Sequence, residues 1–156
     1  RQIGAGGLGQ HRFTRESLPA AKWRMGRACM VQPFLPGVVE EGEYTLVFVD
    51  GVFSHGVLKR AAQGEYRIQS LYGGYECAYE PEAADLAAAQ IVVDALPFDD
   101  LLYARIDMVR LPSGQLAVME AELIEPYLYP QQGSDLGKRL ARAIVVRLKG
   151  GDDNGG

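Results

Sequence analysis

Several residue patterns that identify common protein classes are missing from this sequence. Cys29 and Cys77 are its only cysteines, too few for a disulfide framework and without the CxxC spacing of zinc or redox sites, so we expect buried, reduced thiols. No apolar run approaches the roughly 18 residues of a membrane span. The net charge of -4 lacks the positive excess of nucleic-acid-binding domains. These absences predict neither a membrane nor a nucleic-acid partner, and the 47% hydrophobic content of the 156 residues predicts a globular protein with one core.

The N-terminal glycine-rich run, residues 4–9, fits no standard phosphate-binding motif. It lacks the GK[ST] of a Walker loop and the strand-loop-helix context of a Rossmann fingerprint. Glycines let backbone N–H groups crowd around a phosphate, whereas a flexible linker is the commoner use of such a run, and both interpretations stay open. Because the chain starts at Arg1, without a methionine or a signal-peptide pattern, we expect a piece of a longer protein.

Alternating hydrophobicity and turn residues predict strands joined by tight turns. The clearest turn is Asp50-Gly51, because both residues tolerate the positive φ of a type I′ hairpin. Thr14 predicts the cap of a short helical stretch that runs toward Trp23. The predicted strands cover residues 27–35, 44–49, 52–58, 66–72, 101–111 and 115–124. The predicted helices cover residues 82–95 and the segment from Ser134, where Leu136, Leu140, Ile144 and Leu148 recur at four-residue intervals on one side.

This order of elements predicts the fold class. Strands joined by tight turns and separated by helices indicate an α+β fold, with an antiparallel sheet and helices packed on one face. The ordered domain is expected over residues 1–148, followed by a disordered tail at residues 149–156 that is rich in glycine and aspartate.

The second predicted hairpin, which turns at residues 112–114, gathers acidic side chains on one face. Alternate residues of a strand share a face, so Glu120 and Glu122 project together. If Leu111 pairs with Leu116, Asp107 lies opposite Glu120 and Arg105 lies opposite Glu122, with Cβ atoms ~5 Å apart. The reverse face would be apolar core, made of Ala104, Ile106, Met108, Ala117, Met119, Ala121 and Leu123.

Three acids against one arginine predict a cation site. Oxygen ligands without a nearby histidine or cysteine favour magnesium over zinc. The alternative is a solvated strand face with ordinary ion pairs worth ~0–1 kcal/mol each. Lys59, Arg60 and Arg67 add positive charge, for which a solvated basic face is the usual explanation. His11 and His55 are expected to be structural or solvated.

Six segments, taken in order, resemble one known superfamily. They are IGAGGLG, MVQPFLPGVVEEGE, LVFVDGVFSHGVLKR, GEYRIQSLYGG, YARIDMV and VMEAELIEP. Their order and spacing resemble the ATP-grasp superfamily, and specifically its glutathione-synthetase-like ligases. The resemblance runs from Arg1 to about Leu148 and covers the C-terminal part of such an enzyme, which implies that the N-terminal domain is absent from this chain.

The resemblance implies a role for each matched residue. Gly4, Gly6 and Gly7 would close over the ATP phosphates, Gln32, Pro33, Phe34 and Leu35 would meet the adenine, and Glu43 would bind the ribose. Arg67, with Lys59 or Arg60, would face the γ-phosphate and the acyl phosphate, while Gly73, Gly74 and Arg105 would contact substrate. Asp107, Glu120 and Glu122 would hold magnesium. Two positions depart from the pattern: many relatives have asparagine in place of Glu122, and the glutathione synthetases have arginine in place of Thr45.

The activity that this resemblance implies is ATP-dependent joining of a carboxylate to an amine through an acyl phosphate. Its cofactors would be ATP and Mg²⁺, its partners small-molecule carboxylates and amines, and its location the cytoplasm. A non-catalytic nucleotide-binding or interaction module with the same fold remains the alternative. A homo-oligomer also stays open, because relatives commonly pair.

Overall fold

The structure is a computed structural model that describes residues 11–20, 26, 31–61 and 73–152. The chain divides into two compact units, residues 1–36 and 37–156. The glycine run at 4–9, Arg67, Cys29 and the strand predicted at 66–72 lie outside the described residues.

The described part of the first unit contains less regular structure than predicted. Thr14 and Ser17 close a single turn, in which the Ser17 N–H donates to the Thr14 carbonyl at 3.2 Å, and no helix follows through residue 20. The residue before a proline disfavours helical backbone, so Pro19 explains why the predicted helix is absent there. The buried strand predicted at 27–35 is also wrong for residues 31–35, where Pro33 cannot donate to a sheet and Val31 is 93% exposed.

The second unit contains one antiparallel sheet, which confirms the predicted α+β class. The elements of the described residues are α1 (Gly37–Glu40), β1 (Glu43–Val49), β2 (Val52–Arg60), β3 (Tyr75–Tyr79), α2 (Ala83–Asp94), β4 (Tyr103–Arg110), β5 (Leu116–Glu122) and α3 (Leu136–Asp152). The strands pair in the order β3-β2-β1-β4-β5. No helix within these described ranges is both long and apolar enough to cross a membrane.

The first hairpin, β1–β2, forms where the turn residues predict it. Asp50 and Gly51 adopt φ values of 55° and 72°, the left-handed backbone that a type I′ turn requires. The edge strand β3 was not predicted from the sequence, although Tyr75, Cys77 and Tyr79 alternate along it. Cys77 is exposed on this edge, so the expectation that its thiol is buried is wrong.

Helices cover both faces of the sheet, which corrects the prediction that they pack on one face. Leu46 and Phe48 of β1 belong to a core with Ala89 of α2, while Val47 and Val49 pack with Leu136 and Ala143 of α3 on the reverse face. The sequence of β1, EYTLVFV, is apolar on both faces, as a central strand buried on both sides should be.

Helix α3 presents a different side to the sheet than its leucine spacing predicts. Leu136 and Ala143 are buried, but Ile144 is 43% and Leu148 is 67% exposed. Four residues turn a helix by more than one full turn, so residues at this interval drift by about 40° per step. The helix also continues to Asp152, which corrects the prediction that disorder begins at residue 149.

Candidate functional site

The pairing of β4 with β5 places the acidic residues as the sequence predicts. Asp107 lies opposite Glu120, and Arg105 lies opposite Glu122. The pairing nearer the turn differs, because a bulge leaves Met119 unpaired and Arg110, rather than Leu111, faces Leu116. Met119 is therefore 40% exposed and does not join the apolar core predicted for the reverse face.

The three acidic side chains of this hairpin form one cluster. Asp107, Glu120 and Glu122 each offer a carboxylate oxygen, and these oxygens lie within 4.8 Å of one another. Asp107 is buried, whereas Glu120 and Glu122 reach toward solvent. The donor set is all oxygen, which suits a hard divalent cation such as Mg²⁺.

Lys59 of β2 provides a first positive charge beside this cluster. Its Nζ forms an ion pair with Glu43 and lies 3.2 Å from Asp107 Oδ1. Thr45, fully buried on β1, donates from its hydroxyl to the same Asp107 oxygen at 2.6 Å. Burial works against a charged lysine, but the carboxylates of Glu43 and Asp107 outweigh it and raise the pKa of Lys59 to about 12. Lys59 therefore stays protonated at physiological pH.

Arg105 provides a second positive charge and bridges two of the acids. Its Nε and Nη2 donate to Asp107 Oδ2 at 3.2 and 2.8 Å, and Nη2 also lies 2.5 Å from Glu122 Oε1. Its Nη1 donates to the backbone carbonyl of Tyr127 at 3.3 Å. The arginine is only 7% exposed, so its guanidinium is fixed by these partners rather than solvated.

The pKa values of Asp107 and Glu120 are shifted in opposite directions. Burial alone would raise the pKa of Asp107, but Lys59, Arg105 and the Thr45 hydroxyl outweigh burial and hold that pKa below its ordinary value. Burial, followed by the charges of Glu122 and Asp107, raises the pKa of Glu120. A cation beside Glu120 would favour its charged form and so oppose this shift.

Residues 127–133, here called the roof segment, fold back over the two cations. The Tyr129 ring centre lies 5.7 Å from Lys59 Nζ and 5.9 Å from Arg105 Cζ, and Tyr129 adopts a left-handed φ of 50°. His55 Nε2 donates to the Leu128 carbonyl at 2.9 Å and so ties the segment to β2. Burial lowers the pKa of His55 and keeps its ring neutral, a structural role that agrees with the expectation.

The structure brings together only part of the predicted site. Glu43 and Lys59 join the acid cluster, but Arg60 points to the opposite face, where its Nε donates to the Glu41 carbonyl at 3.0 Å. Gly73 and Gly74 precede β3, at the other edge of the sheet from β5.

Apart from Glu43, the predicted nucleotide-binding residues either belong to the first unit or are not described by the structure. Gly4, Gly6, Gly7 and Arg67 lie outside the described residues. Gln32, Pro33, Phe34 and Leu35 belong to the first unit, where the Phe34 ring lies 3.7 Å from the Arg12 guanidinium.

The sequence interpretation missed two polar residues of the site. Thr45 carries a detectable signal, since it is a polar residue in an apolar strand and shares a face with Glu43. Tyr129 carries none, because only the folded roof segment brings it to Lys59.

Comparison with known proteins gives this site a family context. No protein-family model matches the chain. The cycloserine biosynthesis protein DcsG of Streptomyces lavendulae is 35% identical over 130 residues, which are 80% of this chain and 44% of that protein. The crystal structure of D-cycloserine synthetase DcsG matches with a TM-score of 0.59 and 30% identity over 75% of this chain and 41% of that chain. Over the matched part, the chain is a homologue of DcsG.

Further solved structures match this chain at lower similarity. Two structures of D-alanine–D-alanine ligase from Bacillus anthracis, one of them complexed with ATP, are 21% identical with TM-scores of 0.48 and 0.49. The chain spans less than half the length of the curated relative it matches.

Proposed function

We propose that this chain forms part of an ATP-dependent ligase that joins a carboxylate to an amine through an acyl phosphate. The observation that carries the proposal is the convergence of three carboxylates with Lys59 and Arg105 on one face of the sheet, in a homologue of DcsG. Phosphoryl transfer depends mainly on position and electrostatics, so a site made of acids and fixed cations suits it.

Asp107, Glu120 and Glu122 would hold Mg²⁺ in the proposed reaction. When bound, the ion would neutralise the phosphate oxygens of ATP and offset the charge that develops during transfer. The all-oxygen donor set supports this ion, and so does the place of Glu120, where burial and then the charges of Glu122 and Asp107 raise its pKa.

Lys59 and Arg105 would stabilise the negative charge of the transferred phosphoryl group and of the activated carboxylate. Their side chains are only 12% and 8% exposed and are held by carboxylates, so little reorganisation would be needed as charge develops. Since Arg60 lies on the opposite face, the geometry favours Lys59 over Arg60 for this role. Arg67 remains proposed as a further phosphate ligand.

The remaining parts of a nucleotide site are proposed from the family resemblance. Gly4, Gly6 and Gly7 would cover the phosphates, residues 32–35 would meet the adenine, and Glu43 would bind the ribose after leaving Lys59. Gly73 and Gly74 would lie near the acceptor. A cytoplasmic location and a homo-oligomer stay predictions.

The proposal is tested by MgATP-dependent phosphate release across pairs of carboxylates and amines. We expect Glu120→Gln to reduce release by about 10²-fold or more while the protein stays folded, because one anionic ligand is lost. Glu125→Gln is the matched control, since it makes the same change at an exposed residue just beyond β5. Unchanged turnover in Glu120→Gln would contradict the metal assignment. MgATP binding without phosphate release from any pair would favour a non-catalytic nucleotide-binding module instead.

A further inference from the structure

The three acids of the cluster differ in how far their charge is already compensated. Within the described parts of the chain, no ion pair or hydrogen bond reaches the Glu120 carboxylate. Glu122 is held by Arg105 at 2.5 Å, and Asp107 receives bonds from Thr45, Lys59 and Arg105. A cation that enters this cluster would therefore meet one uncompensated acid and two acids that already have positive partners.

The guanidinium of Arg105 occupies the space between two of the proposed metal ligands. Its Nη2 lies 2.8 Å from Asp107 Oδ2 and 2.5 Å from Glu122 Oε1, so a single nitrogen bridges both carboxylates. A divalent ion that bound the same two oxygens would stand within a few ångströms of this positive charge, and like charges at that range repel strongly in a partly buried site. Arg105 and such an ion would therefore compete for Glu122 Oε1.

We propose that Arg105 and a divalent cation compete for the Glu122 carboxylate, so that cation binding releases the guanidinium toward an anionic group of the substrate. The inference rests on the proposed function and deepens it. Before the ion binds, Glu122 is a positioning residue that holds Arg105 against the sheet. Afterwards, Asp107 and the Tyr127 carbonyl keep Arg105 in place while one edge of its guanidinium becomes free.

This competition couples two binding events. The Glu122 side chain is 33% exposed, whereas that of Arg105 is 8% exposed, so Glu122 is the partner with room to move. An ion that takes Glu122 from Arg105 raises the affinity of Arg105 for an anion, and the anion must raise the affinity for the ion by the same factor. The site would thereby favour anionic substrate after the metal is in place.

The test is a double-mutant cycle that measures binding of Mn²⁺ alone, with free Mn²⁺ followed by electron paramagnetic resonance. If Arg105 competes through Glu122, Arg105→Gln should tighten Mn²⁺ binding about fivefold or more in the parent, but less than about twofold in the Glu122→Gln background. Lys59→Gln is the matched control, because Lys59 contacts Asp107 and Glu43 but not Glu122. Its effect should be equal in both backgrounds.

Each outcome separates this inference from the proposed function. Equal tightening by Arg105→Gln in both backgrounds would overturn the competition and leave the metal site intact. Loss of Mn²⁺ binding in Glu120→Gln would assign the bound ion to this cluster. If the parent bound no Mn²⁺ at all, the metal site of the proposed function would fall, and the competition with it.

Arg105→Gln takes a charged partner from the buried Asp107 carboxylate. If that variant does not fold, Arg105→Lys takes its place in the comparison. Arg105→Lys keeps the charge but replaces the fork with a point charge that cannot bridge Asp107 and Glu122 equally well. It should also tighten Mn²⁺ binding only where Glu122 is present. Glu122→Gln alone should weaken Mn²⁺ binding less than Glu120→Gln does. It removes a metal ligand, but it also removes the carboxylate through which Arg105 competes with the ion. An equal or larger loss would overturn the inference.

Discussion

At the scale of single residues, Asp107 is the centre of the charged cluster. One of its oxygens accepts from Thr45 and lies 3.2 Å from Lys59, and the other accepts from two nitrogens of Arg105. It is 2% exposed, so these partners replace the water that an aspartate would otherwise bind. Asp107 therefore serves both the stability of the sheet and the geometry of the site.

The first residue-scale prediction concerns the stability that Asp107 provides. Asp107→Asn should lower the free energy of unfolding by about 3–5 kcal/mol, because it leaves the buried charges of Lys59 and Arg105 without their shared partner. Urea denaturation measures this change. The matched control is Asp135→Asn, whose ion pair to Lys138 at 3.3 Å is exposed, and it should change stability by at most about 1 kcal/mol. Equal losses in the two variants would contradict the buried network.

The second residue-scale prediction follows from the direction of the Asp107 pKa, which lies below its ordinary value of 3.8. A carboxyl with a lower pKa in the folded state stabilises the fold above its unfolded pKa, and this stabilisation is lost as the pH falls through the folded value. The stability difference between the parent and Asp107→Asn should stay level from pH 7 to about 5 and shrink below about pH 4. A difference that grows toward low pH would contradict this assignment.

At the scale of elements, the roof segment contacts both β2 and β4, the strands that carry Lys59 and Arg105. His55 on β2 binds the Leu128 carbonyl, Tyr127 accepts from Arg105, and the Tyr129 ring faces both cations. Gly133 packs directly against the His55 ring, leaving no room for a side chain. The position of the segment thus depends on Gly133 and His55.

The element-scale prediction uses this glycine. In Gly133→Ala the new Cβ would collide with His55 Nδ1, so we expect the His55–Leu128 bond to weaken, residues 127–133 to exchange amide hydrogens faster, and stability to fall by about 1–3 kcal/mol. Gly137→Ala is the control, because nothing lies within 4 Å of its Cβ and helix α3 should gain about 0.5–1 kcal/mol. Unchanged exchange in Gly133→Ala would contradict the role of His55.

The sequence predicts turns and the pairing of neighbouring strands, but not the contacts that depend on tertiary packing. Asp50-Gly51 specifies its turn through φ alone, and alternation along β4 and β5 sets Asp107 against Glu120, so both were accessible from sequence. The bulge at Met119 depends on how the whole hairpin twists, and the face that α3 presents depends on the strands it covers. Tyr129 reaches Lys59 only through tertiary structure, which no local pattern encodes.

At the scale of the whole molecule, the two faces of the sheet differ in what they carry. The face toward α2 is apolar core, while the reverse face is covered by α3 at one end and carries the charged cluster at the other. The homology to DcsG covers 80% of this chain and relates its described fold to that of DcsG. The central claim is that the acids of this cluster hold a divalent ion.

The most direct test of that claim is an anomalous diffraction map at the manganese edge, from crystals of the protein grown with Mn²⁺ and ATP. We predict a peak about 2.0–2.5 Å from carboxylate oxygens of Asp107, Glu120 and Glu122, with the Arg105–Glu122 contact broken. A peak elsewhere in the protein, or none while Arg105 still bridges Asp107 and Glu122, would contradict the account.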